Sequence, residues 1–374
     1  MTVRLRTILL CALLGTVAGF ATAQERKTRN VIFVMTDGFR WQETFRGADP
    51  ELMNKKAGGV GDEKQLRAEF WRDSDDERRQ VLLPFIWTVL KRNGQIYGNR
   101  DLESDAYVTN GLNFSYPGYS EAFCGFADPR IDSNDKKPNP NVNVLEWLNT
   151  KPAFKGKMAA FGAWDVFPYI FNSTRSGLLV NSGFDPFTEV RTPMIESINI
   201  LKREAAVFDD EALDAFAFHT AMEYFKTRKP RVLYLSLGET DDWAHGGRYD
   251  LYLKAAHRFD EYVEQLWNAA QSMPEYRGST SLILAVDHGR GRAPDEWKSH
   301  GEKIPETKYV WMGFLGPDTP ALGERSKTAA VEQNQIAGTL AALLGEDYCA
   351  YEGKAGKPIG DVVAKHASSR SSTR

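Results

Sequence analysis

Residues 31–38 read VIFVMTDG, an apolar run that stops abruptly at an aspartate and a glycine. Continuous rather than alternating hydrophobicity is typical of a parallel strand that is covered on both faces of its sheet. Five further short apolar runs occur along the chain, at 95–97, 158–162, 232–237, 281–286 and 309–315. The six runs together predict the buried strands of a single sheet.

Amphipathic segments predict helices at 84–92, 143–149, 209–227, 248–273 and 327–344. Strands that alternate with helices indicate an α/β fold with right-handed crossovers. We therefore expect a doubly wound, mostly parallel sheet with helices on both faces. Residues 40–80 are dense in charge, and they predict a small, partly helical insertion near the N-terminus that is exposed to solvent.

The overall composition is that of an ordinary globular protein. The 374 residues are 42% hydrophobic and 26% charged, which excludes a fibrous, low-complexity or wholly disordered chain. The net charge is −3, so the chain lacks the general basic character that nucleic-acid binding requires. We expect a small-molecule substrate and no recognition of nucleic acid. The oligomeric state is left open.

The first 23 residues have the features of a secretory signal peptide. Arg4 and Arg6 precede an apolar run over 8–21, and Ala21-Thr22-Ala23 is a small-x-small cleavage site. The run is shorter than the ~20 residues that a membrane-spanning helix needs. We expect cleavage before Gln24 and a periplasmic or secreted protein without a membrane span, with an uncleaved anchor as the alternative.

The mature chain is expected to form one domain over 24–363, followed by a disordered tail at 364–374 that is rich in serine and arginine. Cys124 and Cys349 are the cysteines that remain after cleavage. In an oxidising compartment these two cysteines are equally consistent with a disulfide and with two buried thiols. Two cysteines are too few for a cysteine-based zinc site.

Acidic residues or a histidine follow three of the predicted strands where each strand ends. Asp37 follows the first strand, and Asp241 lies four residues beyond the fourth. Asp287 and His288 follow the fifth. Because ligands bind outside the carboxyl ends of the strands in open α/β sheets, we expect these side chains to meet at one edge of the sheet.

The spacing of Asp241 and His245 places both side chains on the same face of a helical turn. A carboxylate and an imidazole so placed suit Zn²⁺ or Mn²⁺, although the spacing alone is common. His300 lies twelve residues after His288, beyond a loop that could fold back over the strand ends.

Ser115 lies in the stretch NFSYPG at 113–118, which predicts a turn that leads into a helix from about Tyr119. A helix N-terminus favours an anion, and a hydroxyl group at that position can attack phosphorus when a metal ion activates it. Taken alone, such a serine is more often an N-cap without a catalytic role.

Taken in chain order, these residues resemble the alkaline phosphatase superfamily over about residues 30–345. The resemblance implies two divalent ions, most naturally Zn²⁺ with Mn²⁺ as an alternative, and a serine nucleophile. It implies that one ion is held by Asp241, His245 and His300, and the other by Asp37, Ser115, Asp287 and His288.

Within that superfamily, Ser115-Tyr116-Pro117 resembles the nucleotide pyrophosphatase/phosphodiesterase-like branch. His300 departs from this branch, because it lies close to the Asp-His pair, as in cofactor-independent phosphoglycerate mutases. The asparagine that holds a phosphoryl oxygen has no clean counterpart, and Asn134 is the best candidate, with Asn139 next. The motif also lacks the arginine of sulfatases, which argues against a formylglycine.

The resemblance implies an exported phosphoester hydrolase that acts through a covalent phosphoserine. It does not decide whether the substrate is a phosphate monoester or a phosphate diester. A cluster of positive charge from Arg290, Arg292 and Lys298 would suit a dianionic monoester. Tyr116 and Trp164 could line a pocket for the second group of a diester, although packing explains the indole as well. A phosphomutase or phosphotransferase is the alternative, and a sulfatase or a non-catalytic binding protein is disfavoured.

Overall fold

The centre of the fold is an eight-stranded sheet in the computed structural model, which describes residues 26–363. The predicted signal peptide at 1–23 and the predicted tail at 364–374 lie outside the described residues. The strands within 26–363 are β1 (Asn30–Thr36), β2 (Gly94–Tyr97), β3 (Ala106–Tyr107), β4 (Met158–Gly162), β5 (Leu179–Ser182), β6 (Val232–Leu237), β7 (Thr280–Val286), β8 (Met312–Leu315), β9 (Gly323–Glu324) and β10 (Val331–Glu332).

The strand order in the large sheet is β5-β4-β6-β1-β7-β8-β2-β9. β8 is antiparallel to both of its neighbours, and every other pair in this sheet is parallel. β3 and β10 form a separate parallel pair. β1 lies between β6 and β7, with Val31 paired to Val232 on one side and to Ser281 on the other. The predicted mostly parallel sheet is confirmed.

Helices lie between many of the strands and after the last one. Those within 26–363 are α1 (Trp41–Arg46), α2 (Lys55–Gly58), α3 (Glu63–Phe70), α4 (Asp75–Leu82), α5 (Lys91–Asn93), α6 (Ser115–Cys124), α7 (Val144–Asn149), α8 (Phe167–Ile170), α9 (Ser173–Ser176), α10 (Pro193–Glu204), α11 (Asp214–Arg228), α12 (Glu239–His245), α13 (Tyr249–Ser272), α14 (Gln335–Leu343) and α15 (Tyr348–Tyr351). A π-helical turn at Ile86–Leu90 leads into α5, and 3-10 turns occupy Arg100–Leu102 and Pro305–Lys308.

Aromatic packing holds helices against the sheet. Phe123 of α6 lies against Phe33 of β1 and Tyr234 of β6, with ring centroids 5.3 and 4.7 Å away. On the other face α11 and α13 pack together through the stacked rings of Phe218 and Tyr262, 3.9 Å apart. Large apolar rings removed from water contribute roughly 1.5–3 kcal/mol each, so these contacts fix the helices on both faces.

The charged segment at 40–80 contains α1 to α4, and it is less exposed than its composition suggests. Trp41 and Phe45 bury α1 in the hydrophobic core, at 4% and 2% exposure. Many of the charged side chains of α3 and α4 face water as expected, but Arg78 and Arg79 of α4 are buried, at 7% and 8% exposure. The segment is therefore anchored by α1 and by part of α4, and it is exposed mainly along α3 and the first turn of α4.

Several predicted boundaries are wrong for local reasons. The last predicted strand begins at Met312 instead of 309, because Tyr309 pairs with Tyr107 of β3. The helix predicted from 209 begins at Asp214, because the N–H of Ala212 donates to Ala163 O in the loop that follows β4. The helix predicted over 327–344 spans only Gln335–Leu343, since β10 occupies its first part.

Cys124 and Cys349 are both free thiols in the structure. The Cys349 Sγ lies 3.4 Å from Gly356 O, and Cys124 is buried beside Ser120. Of the helices within 26–363, none combines the length and the apolar character that crossing a membrane requires.

Asp260 of α13 ties the π-helical turn to the core. Its two carboxylate oxygens accept the backbone N–H groups of Phe85 and Ile86 at 2.7 and 2.9 Å. Asp260→Ala leaves two buried donors unpaired, and we expect it to lower the free energy of unfolding by ~3 kcal/mol. Thermal or urea denaturation measures this. Glu264→Ala, an exposed change on the same helix, is the control, and equal stability of the two variants would contradict the assignment.

Candidate active site at the carboxyl edge of the sheet

Three neighbouring strands deliver the candidate residues to one edge of the sheet. Asp37 follows β1, and Asp287 and His288 follow β7. After β6 the chain turns directly into α12, which carries Asp241 and His245. Because β6, β1 and β7 are adjacent and parallel, their carboxyl ends lie side by side. The structure thus brings together residues that are far apart in the sequence.

One group of candidate ligands is fully buried. The Nε2 atom of His288 lies 3.1 Å from Asp37 Oδ1 and 3.5 Å from Asp287 Oδ2. The ligand atoms of the three residues all lie within 4.8 Å of one another. The other Asp287 oxygen, Oδ1, accepts the N–H of Gly38 at 3.0 Å, which holds the end of β7 against the end of β1. This group has the size and the donor atoms of a site for one divalent ion.

A second group lies beside the first and shares His288 with it. The Nε2 atoms of His288 and His300 are each 3.9 Å from Asp241 Oδ1, and the two rings stack with centroids 4.1 Å apart. His245 Nε2 lies 3.0 Å from both Asp241 Oδ2 and His300 Nε2. The expected set of Asp241, His245 and His300 is therefore in contact. The structure differs in placing His288 within reach of Asp241 as well as Asp37.

Ser115 is the first residue of α6, and its Oγ lies 3.4 Å from His288 Nε2. The helix thus begins four residues before the position expected from sequence. Pro117 fits in the first turn, where no backbone N–H is needed for an intrahelical bond. Gly118 then approaches β7 so closely that a Cβ atom would lie 2.2 Å from Asp287 O. This glycine lets the N-terminus of α6 reach the buried ligand group.

Tyr119 supports the ligand group, and the sequence reasoning missed it. Its hydroxyl donates to Asp37 Oδ2 at 3.0 Å and accepts from Ser236 Oγ at 3.0 Å. The sequence signal that could have identified Tyr119 is its spacing from Ser115, because a residue four positions later lies on the same face of a helix.

Backbone carbonyls orient the two stacked histidines. His288 Nδ1 donates to Gly289 O at 2.9 Å, and His300 Nδ1 donates to Asn113 O at 3.2 Å. Each ring therefore presents Nε2 to the carboxylates, as metal-binding imidazoles commonly do. Glu121 fixes the loop that precedes Asn113, since its buried carboxylate accepts the backbone N–H groups of Thr109 and Asn110.

Two residues expected to bind substrate have other contacts. Arg290 is completely buried, and its guanidinium pairs with Asp241 and donates to the backbone oxygens of Trp297 and Lys298. Since all three nitrogens are engaged, it orients Asp241 instead of contacting substrate. The phenol of Tyr116 points away from Ser115, because its hydroxyl donates to the carbonyl oxygens of residues 137 and 169 at 2.6 and 3.1 Å.

The other residues expected to contact substrate differ in where they lie. Asn134 is exposed, and its Oδ1 accepts the N–H of Tyr116 at 3.0 Å, which places its amide at the N-terminus of α6. Asn139 is buried against Ser120 instead, so it does not reach this position. Lys298 is partly exposed beside Gly247, close to the turn that carries His245. Trp164 is half-buried after β4, and its Nε1 donates to Asp210 at 3.0 Å.

Burial and close neighbours shift the pKa values of several groups in the site. Burial disfavours the His288 imidazolium, but Asp287 and Asp37 outweigh this effect and raise its pKa to about 10. Burial and the neighbouring His288 lower the pKa of His300 to about 3. Burial also raises the pKa of Asp287 well above its usual range, and the adjacent Asp37 adds to the shift.

Whether the site suits a metal ion can be judged from two of its buried carboxylate oxygens. Asp37 Oδ1 and Asp287 Oδ2 have no hydrogen-bond partner of good geometry. Buried, unpaired carboxylate oxygens are costly unless a cation compensates them. A divalent cation between carboxylate oxygens and imidazole nitrogens would provide this compensation, so the residues fit such an ion.

Known structures share this fold at low sequence identity. The wild-type alkaline phosphatase PafA superimposes with a TM-score of 0.57 at 10% identity, covering 91% of this chain and 100% of that one. A 2-O GAG sulfatase gives 0.54 at 14% identity, covering 89% and 73%. The lipoteichoic acid synthase LtaP from Listeria monocytogenes gives 0.54 at 11% identity, covering 85% and 72%.

Sequence similarity gives the family. No curated protein matches the chain significantly. Residues 59–366 match the family described as type I phosphodiesterase/nucleotide pyrophosphatase, a span that holds every candidate ligand except Asp37. The alkaline-phosphatase-like fold and the sequence match agree with the resemblance seen in the motifs. The chain belongs to the type I phosphodiesterase/nucleotide pyrophosphatase family of the alkaline phosphatase superfamily.

Proposed function

We propose that the chain is an exported hydrolase of small phosphate mono- or diesters that uses two divalent ions and Ser115 as its nucleophile. The ions are Zn²⁺, with Mn²⁺ as the alternative. Family membership supports a hydrolase of the phosphoryl-transfer kind. The observation that carries the finer proposal is the convergence of Ser115 Oγ on His288 Nε2, at the junction of both candidate ligand groups.

Asp37, Asp287 and His288 would hold one ion together with Ser115, and Asp241, His245 and His300 would hold the other. When bound, such ions lower the pKa of a coordinated hydroxyl and neutralise the charge that develops on phosphoryl oxygens. Tyr119 and Arg290 keep the carboxylates of Asp37 and Asp241 in place.

Ser115 Oγ attacks the phosphorus atom, a new O–P bond forms, and the bond to the leaving oxygen breaks. The leaving group departs with a proton, and a water molecule then attacks the phosphoserine. That second step releases phosphate from a monoester, or a phosphomonoester from a diester, and returns the hydroxyl. Asn134 is well placed to donate its side-chain Nδ2 to a phosphoryl oxygen, because the N–H of Tyr116 fixes its Oδ1.

A comparison of aryl esters tests the reaction class. Metal-reconstituted protein is assayed with aryl phosphate monoesters, diesters and sulfates under the same conditions. We expect turnover of at least one phosphoester class to exceed sulfate turnover by two orders of magnitude or more. The ratio of monoester to diester turnover then assigns the substrate class. Faster hydrolysis of the sulfate would refute the proposal.

Export is tested at the N-terminus. The basic residues, apolar run and small-residue cleavage site predict that exported protein begins at Gln24. N-terminal sequencing of protein recovered from the periplasm or the medium measures this directly. A chain that retains Met1 in the membrane fraction would show an anchor instead.

A further inference from the structure

Gln333 is a buried amide side chain that contacts the candidate active site from behind. It follows β10 directly and is 0% exposed. Its Nε2 group donates to two backbone carbonyl oxygens, that of Gly118 at 2.8 Å and that of Asp287 at 3.0 Å. Gly118 belongs to the first turn of α6, and Asp287 follows β7. One amide group therefore joins the helix that begins at Ser115 to the loop that carries two candidate ligands.

The two segments that Gln333 joins are in close contact. A Cβ atom on Gly118 would lie 2.2 Å from Asp287 O, so only glycine permits the approach. A buried carbonyl oxygen that loses its hydrogen-bond donor raises the free energy of the folded state. The Nε2 group of Gln333 serves both carbonyl oxygens at once. It therefore stabilises the contact between α6 and the loop after β7 at the point where these segments meet.

These two hydrogen bonds set the orientation of the amide. The other polar atom of the side chain, Gln333 Oε1, accepts no hydrogen bond from the described residues, which is costly for a buried oxygen. The opposite orientation would direct Oε1 at two carbonyl oxygens and would remove the donor from both. The side chain thus leaves one of its own atoms unpaired in order to donate to Gly118 and Asp287.

The small sheet of β3 and β10 holds the backbone of Gln333 in place. Glu332 of β10 pairs with Tyr107 of β3, and the N–H of Gln333 donates to Tyr107 O at 3.0 Å. β3 leads into the loop at 108–114, which ends where α6 begins at Ser115. The strand that precedes Gln333 is therefore paired with the strand that precedes the proposed nucleophile.

We propose that Gln333 is a positioning residue that sets the distance between Ser115 and the candidate ligands Asp287 and His288. The inference rests on the proposed function, in which Ser115 is the nucleophile and shares one ion with these two residues. Gln333 acts through α6 and the loop after β7, which bring Ser115 Oγ to 3.4 Å from His288 Nε2. Because the rate of attack depends steeply on the position of the attacking atom, a shift of about 1 Å between these segments slows the reaction strongly.

Gln333→Met tests this role, because methionine has a similar length and cannot donate a hydrogen bond. Gln95→Met is the matched control. Gln95 of β2 is also 0% exposed, and its Nε2 likewise donates to two backbone carbonyl oxygens, those of Pro320 and Asp361 at 3.0 and 2.6 Å. None of these three residues belongs to the candidate site. Since both variants lose the same kind of buried hydrogen bond, we expect both to have a lower Tm than the unmodified protein.

Titration of the metal-free protein with Zn²⁺ gives a measurement that is independent of hydrolysis. We expect two binding steps in the unmodified protein, and the step that His245→Ala weakens identifies the ion held on the other side of the site. Gln333→Met should weaken the remaining step, which belongs to the ion shared by Asp287 and His288, at least tenfold. Gln95→Met should bind both ions as the unmodified protein does.

Steady-state kinetics at saturating Zn²⁺ separate positioning from general stability. Gln333→Met should lower kcat at least tenfold and change KM less than twofold, whereas Gln95→Met should change neither. Gln333→Glu is a second variant that keeps the shape of the side chain, and its ionised carboxylate cannot donate, so it should behave as Gln333→Met does. If Gln333→Met and Gln95→Met both retain the Zn²⁺ affinity and kcat of the unmodified protein, Gln333 only stabilises the fold and the proposal is wrong.

Hydrogen exchange in the metal-free protein distinguishes failure of this inference from failure of the proposed function. Gln333→Met, and not Gln95→Met, should speed amide exchange at residues 116–119, at the N-terminus of α6. Unchanged exchange there would show that Gln333 does not hold the helix, whatever the protein catalyses. An unmodified protein that binds no ions and hydrolyses no ester would instead refute the proposed function before any variant is compared.

Discussion

Ser115→Ala is expected to lower the rate of phosphoester hydrolysis by about a thousandfold or more. The substitution removes the proposed attacking oxygen and one candidate metal ligand. It leaves Asp37, Asp287 and His288 in place, and the amide of Asn134 with them, so positioning and electrostatic stabilisation survive. We therefore expect a small residual activity and not a complete loss. Steady-state kinetics with the better aryl ester measures the effect.

Ser115→Thr is the matched variant, because it keeps a hydroxyl on the same helical turn. It should retain more activity than the alanine variant, since a threonine hydroxyl can attack phosphorus as a serine hydroxyl does. Rapid quenching with a labelled phosphoester should place the label on the peptide that contains Ser115. If the label maps elsewhere, or if the alanine variant turns over normally with its ions bound, the double displacement is wrong. Direct attack by water would then be the better account.

The second large effect concerns the metal ions. Purified protein should contain close to two equivalents of Zn²⁺ or Mn²⁺, and a chelator should abolish hydrolysis. Readdition of the ion should restore it. His288→Ala should lower the content of both ions, because His288 reaches Asp37 and Asp241 alike. His245→Ala should lower only one, since His245 contacts Asp241 and His300 at the exposed side of the site.

Elemental analysis after gel filtration measures these contents, and circular dichroism verifies that the variants fold. Asp37→Asn is a nearly isosteric change in the buried ligand group. It therefore shows whether metal content falls when a ligand is altered without the structural collapse that loss of the His288 ring could cause. Full occupancy of both ions in the His288 and His245 variants would show that the ligand assignment is wrong. Normal hydrolysis by the metal-free protein would exclude the ions from the reaction.

The sheet could be predicted because its central strands are buried on both faces and therefore almost entirely apolar. β5 was missed because its sequence, LVNS, lies at the edge of the sheet, where half of it is partly exposed and needs no apolar run. β9 and β10 were missed because two-residue strands have no pattern of their own. The helix predicted from 209 begins late because a tertiary hydrogen bond from Ala212 to Ala163 replaces a helical one.

The meeting of the candidate ligands followed from the direction of the strands, since parallel neighbours end at the same edge. The role of Arg290 did not follow. An arginine after a strand looks the same in sequence whether it faces a substrate or a neighbouring carboxylate, and only the structure shows its contact with Asp241.

The position of β1 in the middle of the sheet affects how the protein folds. β1 is the first strand of residues 26–363, and both of its partners, β6 and β7, are synthesised much later, as the pairs Val31–Val232 and Asn30–Thr280 show. Until then the sequence VIFVMT has no partner strand, and an unpaired apolar strand is prone to aggregate. The growing chain therefore depends on late, long-range pairing, which is slow. Newly made protein should need a chaperone that shields this segment until β7 has emerged.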